Sequence, residues 1–124
     1  MVDKINYLET EKEKYPLVFS LNVMESIQDK YGSIEKWSEL IQHSGEPDIK
    51  ALKFFMTEAI NEGIEIENEK NNEKRKSITA KQVGRILTEV GLAGTANKIM
   101  NTISESIETN GTVKNAITTK NQTE

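Results

Sequence analysis

The stretch that most constrains the fold is Lys14–Gly32, KYPLVFSLNVMESIQDKYG, in which strand, helix and helix stop follow without a gap. Tyr15, Leu17 and Phe19 alternate with Pro16, Val18 and Ser20. That is the period-2 pattern of a half-buried strand, and Pro16, which has no N–H to donate, belongs at a sheet edge or a strand start. Asn22 is a candidate cap for the helix that follows, with Glu25 three residues on to complete a capping box. Val23, Ile27 and Tyr31 lie at helical spacing before Gly32. Ahead of this stretch, Ile5, Tyr7 and Leu8 form a short apolar cluster before the charged run Glu9–Lys14. They predict a first strand that turns back onto Tyr15–Ser20. A two-stranded hairpin is marginal alone, so its edge is either covered by helices or offered to a partner.

Amphipathic helices fill the rest. Ser33 caps a predicted helix bearing Ile34, Trp37, Leu40 and Ile41 on one face, closed at Gly45. The single tryptophan, among aliphatic neighbours, reads as a core anchor. Glu46, Pro47 and Asp48 make a good helix start. From there Ile49, Leu52, Phe55, Met56, Ala59, Ile60 and Gly63 define the broadest stripe in the chain and predict its central core helix. Glu65–Ser77, EIENEKNNEKRKS, loses the apolar period and is predicted to fray into a solvated loop; basic Lys74, Arg75 and Lys76 are offset there by Glu65, Glu67, Glu69 and Glu73. Thr79 and Gln82 offer a capping box for a helix carrying Val83, Ile86, Leu87 and Val90 up to Gly91. A last helix is expected from Gly94 or Thr95, with Ile99, Met100, Ile103 and Ile107 along its apolar edge. Thr109–Glu124, rich in Thr and Asn, is expected to be a flexible tail.

The predicted fold is therefore mainly α: a bundle of four to five helices with an N-terminal β-hairpin, one domain over 1–108 and a tail over 109–124. With no cysteine, the 124-residue chain has no disulfide framework or thiol nucleophile. No apolar run approaches membrane-spanning length and the start is charged, so a cytoplasmic protein is expected. A net charge of −4 repels nucleic-acid phosphates on average.

No catalytic, cofactor or metal constellation stands out. His43, the single histidine, ends a helix in a polar setting, where it compensates the dipole. ITAKQVGRILTEVG has the outline of an EF-hand entering helix, but LAGTANKIM after it lacks the spaced oxygens calcium needs. Gly91 and Gly94 lack the Lys and Ser/Thr of a phosphate loop. Residues 79–107 have the outline of a helix-turn-helix, which makes a small DNA-binding regulator an alternative. Its second helix sets Lys98 against Glu105 and Glu108, a poor balance for phosphate contacts.

An edge strand of the form YPLxFSLN running into a short helix that ends in KYG, followed by amphipathic helices in a small acidic protein, resembles the tail assembly chaperones of long-tailed bacteriophages and prophages. The resemblance rests on Tyr15–Gly32, with the helical layout through Leu92 behind it. It implies a non-enzymatic protein, without cofactor, that coats the largely helical tape measure protein, keeps it soluble and helps recruit tail tube protein, with homo-oligomerisation open. A structural head-tail component is a further alternative. For the client-binding surface the first candidates are Ile99, Met100, Ile103 and Ile107, a narrow terminal stripe in which methionine adapts to varied partners; the same four residues could instead close the bundle core.

Overall fold

The computed structural model describes residues 5–42 and 48–110. Two antiparallel strands, β1 (Asn6–Glu9) and β2 (Lys14–Leu17), precede five helices: α1 (Leu21–Tyr31), α2 (Ile34–Ile41), α3 (Ile49–Asn71), α4 (Ala80–Val90) and α5 (Leu92–Asn110). The mainly helical fold with an N-terminal hairpin is thus the one the sequence predicts. The expected closure of α2 at Gly45, the helix-start residues Glu46 and Pro47, and the tail beyond Asn110 lie outside the described residues.

The hairpin register pairs Asn6 with Leu17, Tyr7 with Pro16, Leu8 with Tyr15 and Glu9 with Lys14. Its turn is held by Thr10, whose amide donates to the Glu13 carbonyl and whose hydroxyl accepts from the amides of Lys12 and Glu13. Among the described residues β2 pairs with β1 alone, so Pro16 interrupts no second ladder there. The expected alternation of faces stops at Pro16, since every residue from Pro16 to Ser20 is buried. The cause is α3. Past Leu17 the chain leaves the sheet and enters the core, where the Val18 amide donates to the Ala59 carbonyl at 3.2 Å.

α3 is the spine, and one row of it, at four-residue spacing, receives the N-terminal third of the protein. The Ala51 carbonyl accepts the Trp37 indole N–H at 3.0 Å. Phe55 packs between Trp37 and Phe19, with ring centroids 5.0 and 5.6 Å away. Ala59 takes Val18, Gly63 lies against Pro16, and Glu67 accepts the Tyr7 hydroxyl. Four residues of helix rise about 6.0 Å, close to the roughly 6.6 Å spanned by two residues of extended chain. Pro16 and Val18 therefore stay in step with Gly63 and Ala59. Small side chains in this row let the backbone approach: a Cβ added at Gly63 would sit 2.8 Å from Pro16 Cβ and 3.0 Å from its carbonyl carbon.

The helix starts follow local chemistry. Ser33 caps α2, Asp48 caps α3, and Thr79 with Gln82 forms a complete capping box on α4. The cap of α1 is a correction to the sequence reading. Ser20, not Asn22, accepts the Val23 amide, because the helix begins at Leu21. Asn22 instead donates to Glu62, as the Ser20 hydroxyl also does at 2.7 Å. Gly32 ends α1 at φ 95°, a conformation that favours glycine.

The second correction concerns Glu65–Ser77. A largely exposed loop is present over 72–77, but the helix runs further than expected: α3 continues to Asn71, and Asn72 closes it in the left-handed conformation. Asn68 exchanges two hydrogen bonds with the backbone of Arg75, its Nδ2 donating to the carbonyl at 2.9 Å and its Oδ1 accepting from the amide at 3.1 Å. Asn61, seven residues earlier, does the same with Ile78 at 3.0 and 2.8 Å. Seven residues of helix span about 10.5 Å and three residues of extended chain about 10 Å. The two clamps thus match, and residues 75–78 form a strap laid back along α3. Arg75, expected to be solvated, pairs with Glu13 at 2.7 Å and lies over the Tyr15 ring.

The central stripe from Leu52 to Gly63 is buried as predicted, as are Trp37 and Ile41. Ile49 and Leu40, assigned to apolar faces, are exposed. Ile49 is the first residue of α3 and overhangs the core. α5 begins at Leu92, earlier than the expected Gly94 or Thr95, and its buried Thr95 hydroxyl donates to the Gly91 carbonyl.

Two stability predictions follow from the spine. Gly63→Ala should lower stability by about 1–3 kcal/mol through overpacking against Pro16, offset in part by up to about 1 kcal/mol of helix propensity; a urea midpoint at or above wild type would show that the hairpin can shift freely. Asn61→Ala should cost about 1–3 kcal/mol and release the Ile78 amide to hydrogen exchange. Asn61→Asp should cost a comparable amount yet keep that amide protected, because a carboxylate still accepts from N–H but cannot donate to the carbonyl.

Candidate functional site

The structure divides the four candidate partner-binding residues. Ile99 is fully buried and Ile103 is 6% exposed, both within the main core cluster, and Met100 packs half-buried against it. The side chain of Ile107 lies outside those described. An α-helix laid on a bundle buries its apolar edge, and here Ile99 and Ile103 close the core, as the sequence also allowed. Gln42, at the end of α2, reaches Met100 Sδ at 3.6 Å, so the same edge faces α2.

Acid–base chemistry is sparse. Among the described residues no group of three or more His, Cys, Asp or Glu is arranged to hold a metal. His43 lies outside them. Three tyrosines are held above the ordinary phenol pKa: Tyr7 chiefly by its hydrogen bond to Glu67, Tyr15 by burial, and Tyr31 by burial and then the charge of Asp48. A raised phenol pKa keeps these hydroxyls neutral at pH 7, and that of Tyr7 donates to Glu67. No described helix is long and apolar enough to cross a membrane.

What the surface does offer is a concavity that sequence periodicity could not show. Where the start of α3, the end of α4 and the start of α5 meet, an open groove of about 310 Å³ is lined mainly by Ile49, Leu87 and Leu92, with Lys53 on its wall. Ile49, 52% exposed, stands at its mouth. Two glycines keep it open. Nothing lies within 4 Å of a Cβ at Gly91, and a Cβ at Gly84 would meet only the end of Lys53. The sequence signal lies in Gly84 within α4 and Gly91 just past its end, of which Gly91 also has the ordinary role of a helix stop.

The hairpin is the other surface feature. β1 is a sheet edge, as any strand of a two-stranded sheet must be, and the hairpin's turn is tied to α4 through Glu11, whose amide donates to Glu89 at 2.9 Å, and to the strap through Glu13, which pairs with Arg75. Compared with known proteins, the chain matches no family model, no curated protein and no solved structure.

Proposed function

We propose that this chain is a non-enzymatic tail assembly chaperone of a long-tailed bacteriophage or prophage. In this reading it acts in the host cytoplasm, binds the tape measure protein, keeps it soluble and helps bring tail tube subunits to it. The observation that carries the reading is the run Tyr15–Gly32, whose YPLxFSLN strand and KYG-terminated helix resemble that family. The same residues are the ones pressed against α3 and capped by Ser20, so the resemblance falls on the part of the chain that fixes the fold. The mechanism proposed is hydrophobic shielding, in which apolar stripes of a client are covered until the assembling tube replaces the chaperone.

The test is co-expression with a tape measure protein. The client should be soluble and co-purify when the chain is present, and the chain should be missing from finished particles. A client that pellets regardless would overturn the proposal, and retention in purified particles would move the chain to the structural head-tail class. Because Ile103 is buried, Ile103→Asp should unfold α5 from the bundle, costing about 3 kcal/mol or more. Loss of client binding in that variant accompanied by loss of thermal stability would therefore not locate a surface, and the exposed groove is the place to mutate.

A further inference from the structure

The groove does not end at Lys53. On the other side of that lysine lies a second concavity of about 220 Å³, lined by Lys30, Lys50, Lys53, Phe54 and Ala80. Three lysines from α1 and α3 thus converge beside one aromatic ring, with Lys30 Nζ 5.2 Å from the Phe54 centroid. None of the three is ion-paired with a carboxylate of the described residues. Their surroundings do not favour the clustering. Lys50 stands in the first turn of α3 and Ala80 opens α4, so the positive ends of two helix dipoles add to the lysine charges. Asp48, two residues before Lys50, has its carboxylate engaged by the Ala51 amide as the α3 cap. All this occurs on a chain of net charge −4.

We infer that the groove and the lysine cluster form one continuous docking surface for an acidic amphipathic polypeptide segment. Apolar side chains of the segment enter between Ile49, Leu87 and Leu92, and its carboxylates meet Lys53, Lys50 and Lys30. Lys53 lines both concavities and joins the two halves. Charge complementarity selects the occupant. A cluster of three ammonium groups without a carboxylate partner among the described residues, beside an apolar groove, fits a short element carrying a few carboxylates next to aliphatic side chains. A long polyanion such as duplex DNA would have to run out over an acidic protein whose α3 carries Glu58, Glu62, Glu65, Glu67 and Glu69 beyond the cluster. The inference rests on the protein-binding reading above only in taking a polypeptide as the occupant.

The experiment uses the full chain and a fluorescent synthetic helix-forming peptide with Leu at three- and four-residue spacing flanked by Glu, read by anisotropy. A matched peptide with Gln for Glu and a duplex DNA serve as controls. The Glu peptide should bind at least about tenfold more tightly than the Gln peptide, with an affinity that falls as salt rises. The variant K30Q/K50Q/K53Q should remove that tenfold preference. Gly84→Leu, which raises helix propensity while filling the groove, should weaken both peptides with no loss of thermal stability. Equal binding of the two peptides, or wild-type binding by both variants, overturns the inference, as does DNA that binds where the Glu peptide does not. A tape measure protein held soluble equally by wild type, K30Q/K50Q/K53Q and Gly84→Leu would refute this surface while leaving the chaperone function standing. Peptide binding by a chain that fails to solubilise that client would do the reverse.

Discussion

The structure depends on how closely the backbone of β2 can approach α3. That approach is set by one row of the helix, Ala51, Phe55, Ala59, Gly63 and Glu67, in which three of five positions carry a methyl group or less. A larger side chain at Gly63 would meet the rigid ring and backbone of Pro16, not a movable tip, so the hairpin would have to lift as a unit. Lifting it would break the Val18–Ala59 hydrogen bond, separate Phe19 from Phe55 and pull Tyr7 from Glu67. One hydrogen-bond donor, one ring and one phenol are in this way slaved to a single distance between the N-terminal chain and α3. A two-stranded hairpin with little stability of its own is held by the helix it covers.

The opposite fate of the polar residues on α3 explains where sequence reading succeeds and where it stops. Leu52 to Gly63 is legible because an apolar stripe at helical spacing has one outcome, burial. Ser33, Asp48 and the Thr79–Gln82 box are legible because a short side-chain acceptor ahead of a helix has a local partner waiting. Asn61 and Asn68 are not legible, since an asparagine on a helix reads as solvated unless one knows that Ile78 and Arg75 will pass beside it. The same blindness shortened α3, whose last two turns are held by side-chain hydrogen bonds through Glu67 and Asn68 and carry no apolar period. At α1 the strand pattern running through Ser20 hides the cap, because the helix begins at Leu21 and so puts Ser20, not Asn22, at the cap position.

For the candidate site, periodicity was least informative. The stripe Ile99, Met100 and Ile103 is equally consistent with a core face and a docking face, and only the position of α2 and α4 resolves it. The groove and the three lysines come from α1, α3, α4 and α5, and no spacing in the sequence brings Lys30 beside Lys53. Exposed Ile49 marks the place, yet as the first member of a strong stripe it reads as core.

The row on α3 also orders events during synthesis. Residues 6–20 leave the ribosome first, but the surface that Pro16, Val18 and Phe19 need is made of Phe55, Ala59 and Gly63, more than 35 residues further on. Until α3 has emerged, the most apolar part of the N-terminal region has nothing to cover it. The strap at residues 75–78 arrives later still and lies along the same helix. The hairpin and strap are therefore completed around a helix made between them, and a nascent chain halted before Gly63 holds an uncovered PLVF segment that a finished one never shows.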